Sequence, residues 1–194
     1  MNFLAHVYLS GKDIPLAVGN LIADRVNGKN FKNFSPEIQK GILLHRKIDH
    51  FTDHHADFKA CVTKLFTTYR HYSRVIVDMY FDHYLAANWT QYHPQSLNEF
   101  SSEFYNTLAI YSETLPENIQ KFTAALIRYN WFEAYGSVSG LQLILSQMEK
   151  RTRFPSKLGA STKELKENYT YFHTHFSHFM EDVIQYSNKE IKTL

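Results

Sequence analysis

The chain has 194 residues, of which 44% are hydrophobic and 15% aromatic, and its formal net charge is +2 at pH 7. This length is enough for one domain with a sizeable core, and the composition excludes an intrinsically disordered protein. The small net charge does not indicate a nucleic-acid partner, and no apolar stretch approaches the roughly 18 residues that a membrane-spanning helix needs.

The cysteine usage and the first residues indicate the compartment. Cys61 is the only cysteine, which excludes an internal disulfide framework and any cysteine-based zinc motif. It lies in an apolar helical pattern, so we expect it to be buried. The opening segment, MNFLAHVYLSGKD, has no basic region, and its short apolar run is interrupted by His6. We therefore expect no signal peptide and predict a cytoplasmic protein.

Hydrophobic spacing in the first half of the chain is helical. The chain has only seven glycines and five prolines, and it lacks the turn signals of β-hairpins, which makes an all-β fold unlikely on composition. Ser35 followed by Pro36 is typical of a helix start. The predicted helices span residues 3–9, 16–26 and 36–54, then a segment from Phe58 to Phe66 and another from Ser73 through Tyr84.

The second half continues the same pattern. Pro94 and Pro116 bracket a helical stretch over residues 97–115, and a second stretch runs from Glu117 through Tyr135. Further helices are predicted over residues 141–150 and from Ser161 or Thr162 to near the end of the chain. The sequence thus predicts one all-α domain over residues 1–194, a globular bundle of about eight or nine helices.

The segment HRKIDHFTDHH, from His45 to His55, concentrates groups that bind metals. At 100° per residue, His45 and Asp49 lie about 40° apart on one helical stripe, and Asp53 lies about another 40° round. Asp78 and Asp82 form the same i, i+4 pair on the next helix. Two such helices packed face to face can form a metal site, and these ligands suit Mn²⁺, Mg²⁺ or Fe²⁺ and admit Zn²⁺.

Other polar residues are harder to assign. His6 and Asp24 stand alone in apolar settings, and we interpret each as a buried polar group; a buried carboxylate at Asp24 needs a strong partner, which a metal would supply. His83 follows Asp82 and either orients a ligand or has no part in the site. The histidines near the C-terminus have no nearby carboxylate in sequence, and we interpret them as interfacial or solvated: His173, His175 and His178.

Four motifs occur in order and together resemble the acyl carrier protein phosphodiesterase family, whose members are also called holo-acyl-carrier-protein hydrolases. They are MNFLAHVYLS, GNLIAD, GILLHRKIDHFTD and DMYFDHYL, and a looser resemblance continues to Arg153. The resemblance implies an all-α fold like that of HD phosphohydrolases. This chain nevertheless contains no adjacent His-Asp pair, so the ligand assignment of that superfamily does not transfer residue by residue.

The resemblance implies hydrolysis of the phosphodiester that joins 4′-phosphopantetheine to a serine of acyl carrier protein, with Mn²⁺ or a similar divalent ion. Arg46, beside the predicted metal stripe, is our candidate for the cation that contacts the phosphate. The implied metal ligands are Asp24, His45, Asp49 and Asp82. The full predicted catalytic set is Asp24, His45, Arg46, Asp49, Asp53, Asp78 and Asp82.

The implied protein substrate is strongly acidic, so basic side chains are candidates for docking it. We expect neither a nucleic acid nor a membrane as partner. The candidate docking residues are Arg25, Lys29, Lys40, Lys47, Arg70 and Arg74.

Two alternatives to this function stay open. In the first alternative, the chain is a metal-dependent phosphohydrolase that acts on a nucleotide or another small phosphoester. In the second, it is a non-catalytic helical protein that binds carrier protein or stores metal. The sequence indicates no oligomeric state.

Overall fold

A computed structural model describes residues 1–194 and contains α-helices and short 3-10 turns but no strand, which confirms the all-α prediction. The eleven helices are α1 Phe3–Tyr8, α2 Ile14–Ile22, α3 Pro36–His54, α4 Ala56–Tyr69, α5 Ser73–Ala87, α6 Leu97–Ser112, α7 Glu117–Arg128, α8 Trp131–Ala134, α9 Val138–Glu149, α10 Thr162–Glu167 and α11 Tyr169–Ile191. None of them combines the length and apolar character needed to cross a lipid bilayer.

The helix count exceeds the prediction because two predicted helices are broken, each at an asparagine. Asn130 adopts a left-handed conformation with φ 45°, and α8 starts immediately after it. Asn168, with φ −123° and ψ 30°, separates α10 from α11. Asparagine tolerates such conformations because its short side chain bonds to nearby groups: the Asn130 amide donates to Glu133 and the Asn168 amide to the Glu164 carbonyl.

The boundaries of α2 and α3 position the functional residues. As predicted, α3 begins at Pro36, and the Ser35 side chain accepts a hydrogen bond from the Ile38 amide. In contrast, α2 ends at Ile22 rather than at Val26, and residues 23–25 form a 3-10 turn before Val26 becomes extended. This turn carries Asp24 away from the helix axis.

Two glycines bring α2 and α3 into backbone contact. A Cβ atom on Gly19 would lie 2.2 Å from the Ile38 carbonyl oxygen, and one on Gly41 would lie 2.1 Å from the Leu16 carbonyl oxygen. No other residue fits at either position without moving a helix. The contact holds Asn20, next to Gly19, close to His45, which lies one turn beyond Gly41.

The core is one cluster of 49 buried hydrophobic residues, and α5 lies at its centre. Phe81 of α5 is fully buried and packs its ring against Phe58 of α4 and against Phe176 and Phe179 of α11. Cys61 is buried, as predicted. The aromatic content of the sequence is therefore used mainly to join α4, α5 and α11. The assignment of residues 1–194 to one domain stays a prediction.

Candidate metal centre

Three ligand-type side chains converge between α1 and α3. The ligand atoms of His6, His45 and Asp49 all lie within 4.8 Å of one another, and we call this group the metal centre. Nε2 of His6 lies 3.3 Å from Asp49 Oδ1, and Nε2 of His45 lies 3.0 Å from Asp49 Oδ2. The helical spacing predicted the approach of His45 to Asp49, whereas His6 was not predicted as a ligand.

Asn20 orients both imidazole rings. Nδ1 of His6 donates to the Asn20 side-chain oxygen at 2.7 Å, and Nδ1 of His45 donates to the Asn20 carbonyl at 2.8 Å. The Asn20 amide nitrogen is itself fixed, because it donates to the His6 carbonyl and to the Ser10 hydroxyl. With Nδ1 occupied, each ring presents Nε2 to Asp49, which is the usual arrangement of metal-binding histidines.

The donor set fits a divalent cation. Nε2 of His6 is buried and has no hydrogen-bond partner, which is costly for a polar atom unless something else satisfies it. Two imidazole nitrogens and a carboxylate suit Mn²⁺, Fe²⁺ or Zn²⁺. An ion between these three side chains would satisfy the unpaired nitrogen and neutralise the carboxylate. This geometry is compatible with the divalent metal expected from the sequence.

The electrostatics of the metal centre favour a positive charge. Burial opposes the protonation of His45, but hydrogen bonds with Asp24 and Asp49 outweigh it and raise the pKa of His45 to about 9. Burial and the neighbouring His45 lower the pKa of His6 to about 4. Burial also acts against the ionisation of Asp49, yet the hydrogen bond with His45 and the neighbouring histidine rings hold its pKa well below the ordinary value. The cluster thus holds an ionised carboxylate and attracts a cation.

Asp24 joins the metal centre from its edge. Its Oδ1 lies 3.1 Å from His45 Nε2, and its side chain is 59% exposed. The prediction of a buried Asp24 is therefore wrong, because the 3-10 turn after α2 directs this residue outward while its apolar neighbours stay in the core. The hydrogen bond with His45 lowers the pKa of Asp24, so its carboxylate is ionised and accessible.

A cavity of about 240 Å³ adjoins the metal centre, and we call it the acid pocket. Two of its carboxylates already have cationic partners: Asp53 pairs with Arg74, and Asp78 Oδ1 lies 2.7 Å from the α-amino group of Met1. Asp24 and Asp49 therefore remain the carboxylates available to a ligand. The residues that line the pocket are Met1, Asp24, Asp49, Thr52, Asp53, Arg74 and Asp78.

Asp82 does not join the metal centre, contrary to its prediction as a ligand. Its carboxylate is fully buried and accepts hydrogen bonds from the backbone amides of Asn2, Leu4 and Ala5, at 3.2, 2.9 and 3.4 Å. The free amides at the N-terminus of α1 attract a carboxylate, which explains this orientation. Asp82 therefore holds the start of α1, the helix that carries His6.

Arg46 also differs from its predicted role as the phosphate cation. Its guanidinium donates to the Gly28 carbonyl at 2.8 Å and lies over the Phe31 ring, 5.0 Å from the centroid. On α3 it follows His45 by 100°, so it leaves the stripe that faces the metal centre. The guanidinium that lines the acid pocket is that of Arg74, which the sequence assigned to docking.

The other predicted docking residues lie on different elements, and their docking role stays a prediction. Lys29 and Lys40 are exposed, whereas Lys47 pairs with Glu190 of α11. Two arginines lie over aromatic rings: Arg25 over Phe122 at 4.6 Å and Arg70 over Phe66 at 5.8 Å.

His83 makes its hydrogen bonds with two tyrosines and not with the residues of the metal centre. It is buried on α5, and its two ring nitrogens lie 2.7 Å from the Tyr135 carbonyl and 3.0 Å from the Tyr169 hydroxyl. These contacts connect α5 to α11 and to the end of α8. Burial lowers its pKa, so the ring is neutral at neutral pH.

The C-terminal histidines, which have no carboxylate near them in sequence, lie beside Asp57 of α4 in the fold. Nδ1 of His175 lies 2.5 Å from Asp57 Oδ1, and Nδ1 of His178 lies 3.7 Å from the same oxygen. His55 completes the group by accepting a hydrogen bond from the Asp57 amide, which caps α4. Asp57 and His175 are 118 residues apart in the chain, so sequence spacing gave no sign of this contact.

Comparison with known proteins decides the family. The family model described as acyl carrier protein phosphodiesterase matches residues 1–183. The chain belongs to this family. The motif-based prediction is thereby confirmed, and the acyl carrier protein phosphodiesterases are enzymes that hydrolyse phosphoric diesters.

Curated relatives with the name acyl carrier protein phosphodiesterase match almost the whole chain. The protein from Serratia proteamaculans is 27% identical over 186 residues, covering 95% of this chain and 96% of its own length. That from Photorhabdus laumondii is 30% identical over 180 residues, with coverages of 92% and 91%. That from Yersinia pestis is 31% identical over 170 residues, with coverages of 87% and 88%. The comparison with solved structures found no match.

From the sequence, neither His6 nor Asn20 was predicted to lie at the metal centre, where the structure places both. Both lie inside family motifs, in MNFLAHVYLS and in GNLIAD. The available signal was a lone polar residue in each apolar run, which is compatible equally with a ligand and with a satisfied buried group. Only the contact between α1, α2 and α3 distinguishes the two interpretations.

Proposed function

We propose that this phosphodiesterase uses a divalent metal ion to release 4′-phosphopantetheine from holo-acyl carrier protein. The observation that carries the proposal is the convergence of His6 Nε2, His45 Nε2 and the Asp49 carboxylate beside a pocket that also contains Arg74. The names of the relatives, acyl carrier protein phosphodiesterases, support the carrier-protein substrate. The cytoplasmic location expected from the sequence belongs to the same proposal.

The metal would be held by His6, His45 and Asp49, with Asp24 available as a further oxygen ligand. Mn²⁺ is the ion we propose, and Fe²⁺ also suits a set with two imidazoles, whereas Mg²⁺ prefers oxygen ligands alone. When bound, such an ion stabilises negative charge on a phosphoryl oxygen and lowers the pKa of water. Asn20 occupies Nδ1 of both imidazoles, so Nε2 is the nitrogen that each ring would offer to the metal, in place of the proton that His45 Nε2 carries without it.

Two residues of the acid pocket have roles toward the substrate. Asp24 is ionised and exposed, so it can accept a hydrogen bond from the attacking water and direct that oxygen toward phosphorus. Arg74 offers its guanidinium to the non-bridging oxygens of the diester. Arg74 and Asp53 are each about half exposed, at 52% and 54%, so exchanging this ion pair for a phosphate contact costs little.

The bond changes follow from the products. The water oxygen forms a bond to phosphorus, and the bond from phosphorus to the serine oxygen breaks. The phosphate stays on the pantetheine, and the serine oxygen leaves with a proton. Asp24, which accepts the proton of water, is the group of the pocket placed to return it.

Mass spectrometry of the carrier protein tests this function. Holo-carrier protein incubated with the enzyme and Mn²⁺ should lose about 340 Da, the mass of the released 4′-phosphopantetheine less the water consumed at phosphorus. The loss should stop when the metal is chelated. An unchanged carrier together with turnover of small phosphodiesters would identify a small-phosphoester hydrolase instead, and no turnover at all would identify a non-catalytic binding protein.

A further inference from the structure

A second cavity, of about 580 Å³, opens beside the start of α5. We call it the aromatic groove, because its walls include Tyr69, Tyr72, Val75 and Phe154. The basic residues Arg70 and Lys157 line it as well. Phe154 is 63% exposed, which is high for a phenylalanine. A cavity of this size and composition is typical of a small-molecule binding site.

The aromatic groove and the acid pocket share α5. Val75 lines the groove, whereas Arg74 and Asp78 line the acid pocket. Residues three apart on a helix are surface neighbours, with Cβ atoms about 5–6 Å apart, so Val75 adjoins Asp78. Arg74 lines the acid pocket and is next to Val75 in the chain, so a ligand held by its phosphate at Arg74 can extend into the groove.

Backbone strain is concentrated at this groove. Only three non-glycine residues of the chain have positive φ: Arg70 at 50°, Asn130 at 45° and Lys157 at 54°. Two of the three line the groove, and both are exposed cations. Such conformations are energetically unfavourable for non-glycine residues and are concentrated at ligand sites, where the surrounding structure maintains them. A hydrogen bond from the Tyr72 hydroxyl to the Phe154 carbonyl, at 3.3 Å, ties the two walls together.

We propose that the aromatic groove binds the pantetheine arm of holo-acyl carrier protein while the phosphate lies in the acid pocket. This inference rests on the proposed function, because that function defines the arm. The arm is uncharged, with a branched dimethyl group and two amides, and this chemistry suits aromatic and aliphatic walls with a few polar atoms. Arg70 and Lys157 at the rim face an acidic partner protein with complementary charge.

Kinetics with two substrates test the groove. We compare kcat/KM for holo-carrier protein with kcat/KM for a small aryl phosphodiester that has no arm, both with Mn²⁺. Val75→Trp places a larger side chain in the groove. Phe154→Ala removes an exposed aromatic side chain from its wall and changes no core residue. Each variant should lower the ratio of kcat/KM for holo-carrier protein to kcat/KM for the aryl diester at least about tenfold. This is the scale of losing one well-packed apolar contact.

Lys157→Gly and Asn130→Gly form a matched pair. Glycine accepts positive φ without strain, which offsets the loss of side-chain contacts such as that of Asn130 with Glu133, so both variants should fold. Lys157→Gly also loses a rim cation and should raise KM for holo-carrier protein. Asn130→Gly changes a residue outside both cavities and should leave the substrate ratio unchanged. Equal effects of the two variants on the ratio would assign the Lys157 effect to general backbone changes and would overturn its role at the rim.

Direct binding separates this inference from the proposed function. Isothermal titration with free pantetheine, which has no phosphate, should show saturable binding to the wild type that Val75→Trp abolishes. Pantetheine binding without any cleavage of holo-carrier protein would overturn the function and retain the groove. Cleavage of the carrier with no pantetheine binding, and with a ratio unaffected by Val75→Trp, would overturn the groove and retain the function.

Discussion

His6 and His45 stack with their ring centroids 4.0 Å apart and their planes 19° from parallel, and the Nδ1 atoms of both rings donate to oxygens of Asn20. The two rings come from α1 and α3, and Asn20 lies on α2 between them. One residue therefore sets the orientation of both imidazoles. This relationship makes the metal centre depend on the contact of three helices, and it leads to the first two predictions.

Replacing His6 should abolish metal-dependent activity. In His6→Ala the metal centre loses one of its two nitrogen ligands, so the Mn²⁺ affinity should fall at least about tenfold and kcat/KM at least about 100-fold. Titration with Mn²⁺ and the carrier-protein assay measure the two effects. His50→Ala, at an exposed position of α3, is the control and should behave as the wild type. An unchanged Mn²⁺ affinity in His6→Ala would show that His6 is only a buried structural residue.

Asn20 should affect the metal through the two histidines. Asn20→Ala removes the acceptor for His6 Nδ1, so the ring no longer has a fixed tautomer, and the Mn²⁺ affinity should fall about 10- to 100-fold. Ser10→Ala is the matched control, because it removes two hydrogen bonds of the same network, one to the His6 carbonyl and one from the Asn20 amide, without touching either imidazole. Similar losses in both variants would indicate that the network stabilises the fold and does not position the ligands.

The phosphate cation should be Arg74 and not Arg46. Arg74→Ala removes the guanidinium of the acid pocket, and the loss of one stabilising charge from a transition state should lower kcat/KM for a small phosphodiester about 100-fold. Arg46→Ala removes a contact with Gly28 and should change this value less than about threefold. The larger effect in Arg46→Ala would restore the interpretation that the sequence suggested.

Asp82 should make stability depend on pH. Burial raises its pKa to about 7 from the ordinary value of 3.8. Between these values the folded state binds a proton that the unfolded state does not, so the free energy of unfolding falls as the pH rises through this window, by at most about 1.4 kcal/mol per pH unit. Below the window both states are protonated, and above it both are ionised.

Asp82→Asn should remove this contribution because the amide does not titrate. Urea unfolding of the two proteins between about pH 4 and pH 8 measures the difference in their unfolding free energies. The wild type should lose stability relative to the variant as the pH rises from the lower to the upper end of this range. The contribution of His45 is present in both proteins and cancels. Parallel stability curves would show that the Asp82 pKa is close to its ordinary value.

The position of a side chain could be predicted from the sequence when its contacts lie within one helix, and not when they join helices far apart in the chain. His45 and Asp49 are one helical turn apart, so helix geometry alone brings them together. Asp78 and Asp82 have the same spacing, but Asp82 turns toward the N-terminus of α1, nearly 80 residues away in the chain. The exposure of Asp24 depends on the end of α2 at Ile22. The sequence has no capping residue there that would predict this end. Spacing within a helix was therefore informative, whereas partners from other helices were not.

The same distinction explains the fold. The start of α3 at Pro36 was predictable because its cap is local, and Cys61 was predictable because it lies within an apolar pattern. The breaks at Asn130 and Asn168 were not, since an asparagine inside a helical pattern costs little by propensity alone. The fold class was predictable from hydrophobic periodicity, and the helix boundaries were set by tertiary packing.

The position of the metal tests the central claim most directly. Anomalous diffraction from crystals containing Mn²⁺ should show one peak within about 2.0–2.4 Å of Nε2 of His6, Nε2 of His45 and an Asp49 carboxylate oxygen, as expected for bonded nitrogen and oxygen ligands. A peak bound by Asp53, Asp78 or Asp82 without either histidine would contradict the account.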